Sequence, residues 1–171
     1  MRFEFATATR ILFGPGTVRD LPTAAAQMGR RALLVTGASA ERAAPLVSGF
    51  DTVPFAVTGE PSIELIRRGT MYARAEGCDL VIAIGGGSAI DAGKALAALL
   101  TNPGDPLDYL EVIGRGQPLE NTPAPFIAVP TVLQAEGCTP VVHIRPLHPP
   151  TACLYPTLNK TKTAETKSLQ P

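Results

Sequence analysis

Val81-Ile82-Ala83-Ile84-Gly85-Gly86-Gly87-Ser88-Ala89-Ile90-Asp91-Ala92-Gly93-Lys94 is the stretch on which the fold turns. Asp79–Ile84 is a short apolar run rich in β-branched side chains, the pattern of a strand buried on both faces of a sheet. Three glycines follow, and then Ala89–Leu100, the most helical run in the chain. A buried strand that passes through a glycine turn straight into a helix is the first half of a βαβ crossover.

The same alternation extends in both directions from this stretch. Upstream, Arg2–Ala6 and Arg10–Phe13 read as short β segments that could form a hairpin through Thr7-Ala8-Thr9, and Gly14-Pro15-Gly16 then breaks the chain. Thr17 is placed to cap a helix carrying Val18, Leu21, Ala25 and Met28 on one face, with Gly29 as a left-handed stop. Ala32–Thr36 is a second buried strand, Gly37-Ala38-Ser39 turns into a helix reaching Val47, and Thr52–Val57 is a third strand. Pro61-Ser62 opens a helix with Ile63, Ile66, Met71 and Ala75 near helical spacing, closed by Gly77. Downstream come a turn of helix at Leu107–Leu110 and a last buried strand, Phe126–Val129, ending at Pro130. Strands alternating with helices of this length predict an α/β domain over residues 1–131, a doubly wound parallel sheet with right-handed crossovers.

The glycine triplet carries chemistry as well as topology. Glycine lets a ligand approach the backbone with no Cβ in the way. The first amides of the following helix have no intrahelical acceptor, and the helix dipole favours negative charge beside them. Together these make a phosphate cradle at the carboxyl end of a strand, where open α/β sheets bind ligands. Ser88 adds a hydroxyl donor or an N-cap. The other reading is a strand-to-helix turn that uses glycine for tight geometry alone. The run fits neither G-x-G-x-x-G nor the Walker pattern, so its chemistry reaches a phosphate or dinucleotide site and no further.

Gly85-Gly86-Gly87-Ser88-Ala89-Ile90-Asp91-x-x-Lys94 resembles the G-G-G-S-x-x-D-x-x-K signature of the iron-containing (group III) alcohol dehydrogenases. Other matches follow in order: Phe13-Gly14-Pro15-Gly16 with the family's early F-G-x-G turn, Leu33–Thr36 with its next strand, and Ile127–Thr131 with the start of I-A-x-P-T-T-x-G-T-G-S-E. The resemblance implies a Rossmann-like domain that binds NAD or NADP. Gly85, Gly86, Gly87 and Ser88 would then hold the pyrophosphate and Asp91 would lie toward the nicotinamide end. Thr131 matches the first threonine of the adenine-side strand. Asp91 has an ordinary alternative as a first-turn helix acid favoured by the dipole, and Lys94 as a solvated helix lysine. Where many members carry an acid after the second strand, this chain has Gly37, which leaves less reason to reject a 2′-phosphate and so points to tolerance of NADP. The family's P-N-P reads Gly59-Glu60-Pro61 here, so the resemblance implies that an amide contact to the adenosine is missing.

The complete enzymes of that family carry a second, helical domain whose aspartate and histidines hold iron or zinc, the Lewis acid for hydride transfer between a small alcohol and the cofactor. They are often homo-oligomers. After Thr131 the similarity stops and Val132-Leu133-Gln134-Ala135-Glu136-Gly137 follows. The expectation is therefore a truncated chain with no catalytic residues and no metal site of its own: an NAD(P)-dependent dehydrogenase by descent, or an inert nucleotide-binding fragment, even an unstable product of a frameshifted gene. With Pro140, Pro146, Pro149, Pro150 and Pro156, and no apolar period of either kind, residues 132–171 read as a disordered, non-homologous tail. Cys138, His143, His148 and Cys153 recur every five residues there, but their spacing and intervening prolines are unlike known zinc sites.

Composition excludes other classes. The net charge is zero and aromatic residues are 5% of the chain, so neither a basic face nor stacking platforms suggest nucleic acid. No apolar run reaches the length of a bilayer span, Glu4 interrupts any signal-like start, and three cysteines without close pairing form no disulfide framework. A cytoplasmic protein without membrane partners is the expectation.

Overall fold

The structure is a computed structural model that describes residues 10–14, 16–37, 40–131 and 141–145, with Phe13 and the last segment described by their backbone. Six strands form one sheet: β1 (Arg10–Phe13), β2 (Arg31–Thr36), β3 (Asp51–Ala56), β4 (Leu80–Gly85), β5 (Phe126–Pro130) and β6 (Val141–Arg145), in the order β1-β6-β5-β4-β2-β3. β5, β4, β2 and β3 are parallel, whereas β6 runs antiparallel to both β5 and β1. The helices are α1 (Leu21–Ala26), α2 (Ala40–Ala43), α3 (Ile63–Ala75), α4 (Gly87–Thr101) and α5 (Pro106–Tyr109). This is the doubly wound α/β sheet that the strand–helix alternation predicts.

The apolar pattern explains the sheet order. All six residues of β4 are buried, and β4 lies between β2 and β5. Alternate residues serve opposite layers. Leu33, Val35, Val81, Ala83, Phe126 and Ala128 join the core under α3 and α4, where Leu65, Ile66, Leu96 and Leu99 pack. Leu34, Leu80, Ile82, Ile84, Ile127 and Val129 join a second core with Leu21, Ala25, Ala43 and Val47. β3 is the outer strand and pairs with β2 alone, which is why it accommodates Pro54, a residue with no amide to donate. α4 lies tight against the sheet: a Cβ on Gly93 would stand 2.7 Å from that of Ala83 and 2.8 Å from the Phe126 ring.

At the far end of α4, the fully buried Asn102 ties down the following loop. Its amide donates to the carbonyls of Ala98 at 2.8 Å and Asn121 at 2.9 Å, and its oxygen accepts from the Asn121 amide at 2.7 Å. Buried polar groups cost stability unless paired, and this one is paired at both ends.

Several local expectations differ from the structure. The helix expected from Thr17 is a 3-10 turn, Thr17–Asp20, followed by the short α1. The Thr17 hydroxyl donates to the Gly14 carbonyl at 3.1 Å instead of capping a helix. Gly29 does not adopt a left-handed conformation; it is glycine because a Cβ there would stand 2.6 Å from the Asp79 carboxylate and 2.9 Å from Leu80 Cβ. The helix expected as far as Val47 is α2 followed by a 3-10 turn, Ala44–Val47, with Pro45 inside it. On α3 the buried face is Leu65, Ile66, Gly69, Thr70 and Ala73, so Met71 and Ala75 belong to the solvent side. Arg2–Ala6 lies outside the described residues.

The largest difference is β6. The expectation of a structureless segment from 132 onward does not hold at Val141–Arg145, which bridges β1 and β5. Val141-Val142-His143-Ile144 is locally rich in β-formers, and β1 and β5 each present an edge for it to pair with. The prolines on either side mask that signal when the whole segment is read as one composition.

Candidate functional site

Gly85 is the last residue of β4 and Gly87 the first of α4, with Gly86 between them as the N-cap in extended conformation (φ −78°, ψ −171°). Gly86 has no side chain with which to cap this helix, and the backbone bond from the Ile90 amide to the Gly86 carbonyl measures 3.1 Å. The amides ahead of Ile90 therefore have no intrahelical acceptor and carry the positive end of the helix dipole. The expected capping role of Ser88 falls to Gly86. The Ser88 hydroxyl instead reaches across to the Glu60 carboxylate, at 3.5 Å.

This turn stands at the topological switch point of the sheet. The chain passes from β2 outward to β3, then back past β2 to β4 on its other side. Neighbouring strand ends whose connections leave in opposite directions open a crevice, and open α/β sheets bind ligands there. The two strands in question are β2 and β4, paired through Thr36 and Ile84. Gly37 follows one and Gly85 ends the other.

The glycines fall into two kinds. A Cβ on Gly85 would stand 2.7 Å from the Ala89 Cβ and 3.3 Å from the Gly37 nitrogen, so glycine is a packing requirement there. Gly37 and Gly87 are different: neither has a positive φ, and a Cβ on either meets nothing within 4 Å among the described residues. Neither backbone strain nor packing calls for glycine at these two positions. What glycine leaves there is open approach to the backbone, beside an uncapped helix N-terminus.

The remaining residues singled out by sequence lie around the same strand ends. Thr131 follows β5, is exposed, and its amide donates to the Gly85 carbonyl at 2.9 Å. Asp91 sits in the second turn of α4, not the first, and pairs with Lys94 at 3.3 Å with both side chains substantially exposed. That pairing is the ordinary surface arrangement for acids and bases three residues apart. Glu60, which the sequence reading marks only as the departure from the family's P-N-P that removes an amide contact to the adenosine, borders the site. It follows Gly59 in a left-handed turn (φ 82°) and precedes the α3 N-cap, Ser62. Thr36 adds a buried hydroxyl without a partner among the described residues.

Other chemistry is sparse. Among the described residues no three His, Cys, Asp or Glu side chains converge on a point where a cation could sit. Cys138, His148 and Cys153 lie outside the described residues, as does the side chain of His143. Cys78 is buried in the core beneath α3, and burial pushes its thiol up, away from the reactive thiolate. No helix among the described residues is long and apolar enough to cross a membrane.

A sequence profile of the iron-containing alcohol dehydrogenases matches residues 8–148. The chain belongs to that family. Curated relatives include a 4-hydroxybutyrate dehydrogenase of Cupriavidus necator, 34% identical over 131 residues covering 72% of this chain and 34% of the relative. A probable alcohol dehydrogenase of Escherichia coli is 35% identical over 137 residues, covering 74% of this chain and 34% of the relative. Among solved structures, an NADH-dependent butanol dehydrogenase of Thermotoga maritima superposes with a TM-score of 0.64 at 25% identity, over 77% of this chain and 35% of that one. A sulfoacetaldehyde reductase of Bifidobacterium kashiwanohense in complex with NAD+ gives 0.64 at 26% identity, over 77% and 36%.

The iron-containing alcohol dehydrogenase relatives are thus about three times as long as the part this chain matches. The profile also runs past Thr131 to residue 148 and so includes β6, which places homology beyond the boundary expected at 131.

Proposed function

We propose that residues Gly37, Gly85–Ser88 and Thr131 form the NAD(P) site of a dehydrogenase acting on a small alcohol or aldehyde. The observation that supports this most directly is the pair Gly37 and Gly87, glycines that the fold itself does not need. They flank an uncapped helix N-terminus at the switch point of the sheet. The α4 amides and dipole would hold the pyrophosphate, with the Ser88 hydroxyl as a further donor. Gly37 would leave room for the adenosine ribose over the end of β2. Asp91 would lie one turn deeper, toward the nicotinamide. When bound, the nicotinamide supplies hydride transfer.

What the described residues would contribute to that reaction is to bind and orient the dinucleotide. Relatives named for 4-hydroxybutyrate, choline and butanol favour a small alcohol as the substrate of a complete enzyme. The test is titration of the purified chain with NADH, followed by nicotinamide fluorescence and by competition with ADP. Saturable binding that ADP displaces is expected; a folded chain that leaves NADH free would overturn the reading.

A further inference from the structure

We propose that Glu60 selects the dinucleotide that lacks a 2′-phosphate, which reverses the NADP tolerance expected from Gly37. The inference rests on the dinucleotide reading above.

With the pyrophosphate on the first turn of α4, the neighbouring strand end is that of β2, and in sheets of this kind the adenosine ribose lies over that end. Selection against a 2′-phosphate needs a carboxylate close by, to accept from the free ribose hydroxyls and to repel the added charge. At Gly37 there is none, and a Cβ would meet open space. Glu60 comes from the next strand outward, on the loop between β3 and α3, and turns back toward α4. Its carboxylate lies 3.5 Å from the Ser88 hydroxyl, so it stands at the rim of the same crevice.

Two features fix it there. The left-handed Gly59 and the following Pro61 and Ser62 N-cap set the direction of the loop. Among the described residues Glu60 has no cationic partner. A pyrophosphate already bound at α4 places negative charge near this carboxylate, and the two further charges of a 2′-phosphate raise that penalty. The free ribose hydroxyls of NAD give the carboxylate donors instead. One side chain thereby does from β3 what an acid at the end of β2 does in other members.

The test is to titrate the full chain, E60Q and G37D with NADH and with NADPH by nicotinamide fluorescence. The wild type is expected to bind NADH the more tightly. E60Q, exposed and nearly isosteric, should narrow the ratio by roughly tenfold, the scale of one charge-assisted hydrogen bond. G37D, which adds a carboxylate in open space, should widen it. Equal wild-type affinities, or an E60Q ratio the same as wild type, would overturn the role of Glu60 and leave the dinucleotide site standing. Failure of every variant to bind either nucleotide would overturn the site and this inference together.

Discussion

Gly85 and Gly37 approach each other across β4 and β2 so closely that a Cβ on Gly85 would stand 3.3 Å from the Gly37 nitrogen. The approach is not reciprocal, since a Cβ on Gly37 meets nothing within 4 Å among the described residues. One crevice therefore has a closed wall and an open one. Gly85 lets the strand end and α4 pack; Gly37 leaves space above them.

Gly85→Ala should accordingly damage the fold. The added methyl meets the Ala89 Cβ at 2.7 Å, between elements that are otherwise buried, and overpacking of this kind costs about 1–3 kcal/mol. Urea unfolding should show a lower midpoint with an unchanged slope. An unaltered midpoint would mean that α4 can shift outward freely.

Gly87→Ala should do the reverse. Its methyl enters open space at the first position of a helix, where alanine is the better helix former by up to about 1 kcal/mol. Stability should hold or rise slightly. NADH affinity should fall by roughly tenfold, because the methyl stands where the phosphate approaches and loss of one contact to a charged group is worth about 1.5–3 kcal/mol. Urea unfolding and NADH titration on one preparation check both halves. Unchanged NADH binding would return Gly87 to a purely structural role.

What the sequence makes legible follows from how local each signal is. β4, the glycine turn and α4 are contiguous, so the apolar run and the helix pattern report them directly, and Gly85–Ser88 stand out with them. Gly37 emerges by comparison with other members, since nothing in its neighbours distinguishes it from a plain turn. Glu60 is legible only as a departure from the family's P-N-P, and its proximity to Ser88 is not: that depends on the order β4-β2-β3, which brings together loops 28 residues apart. Gly29 shows the same limit from the other side. Its position suggests a helix stop, whereas its reason is Asp79, 50 residues away by sequence number. β6 is hidden because a five-residue strand between proline-rich flanks carries too little pattern to outweigh them.

The Arg67–Asp105 pair predicts a pH dependence. The guanidinium forks onto the carboxylate, Nε to Oδ2 at 2.5 Å and Nη2 to Oδ1 at 2.9 Å, while Asp105 also caps α5 through the Leu107 amide at 3.0 Å. The Arg67 bond first, and the Leu107 amide second, hold Asp105 below its ordinary carboxylate value of 3.8. A carboxylate depressed on folding contributes stability above its unfolded pKa and loses it as the pH falls through the folded one. The melting temperature should therefore drop as the pH is lowered below about 4. Both side chains are about two-fifths exposed, so solvent screening keeps the effect small. Asp105→Asn keeps a good cap residue but removes the titration, and should flatten this part of the curve. An identical acid slope in the variant would assign it to other carboxylates.

The last prediction concerns the boundary expected at Thr131, past which the family match continues to residue 148. β6 pairs with β5 through Ile144 and Ile127 and with β1 through Val142 and Leu12. Without it, β1 loses the strand it pairs with among those described, and β5 becomes an exposed edge. Ile127 and Val129 on β5 are almost fully buried, and an apolar edge strand left unpaired invites association with another chain. A chain cut after Thr131 should unfold at lower urea and sediment as oligomers. One cut after residue 148, the limit of the family match, should behave as the full 171 residues do. Equal stability of the shorter cut would return residues 132–171 to the loose tail that their proline content suggests.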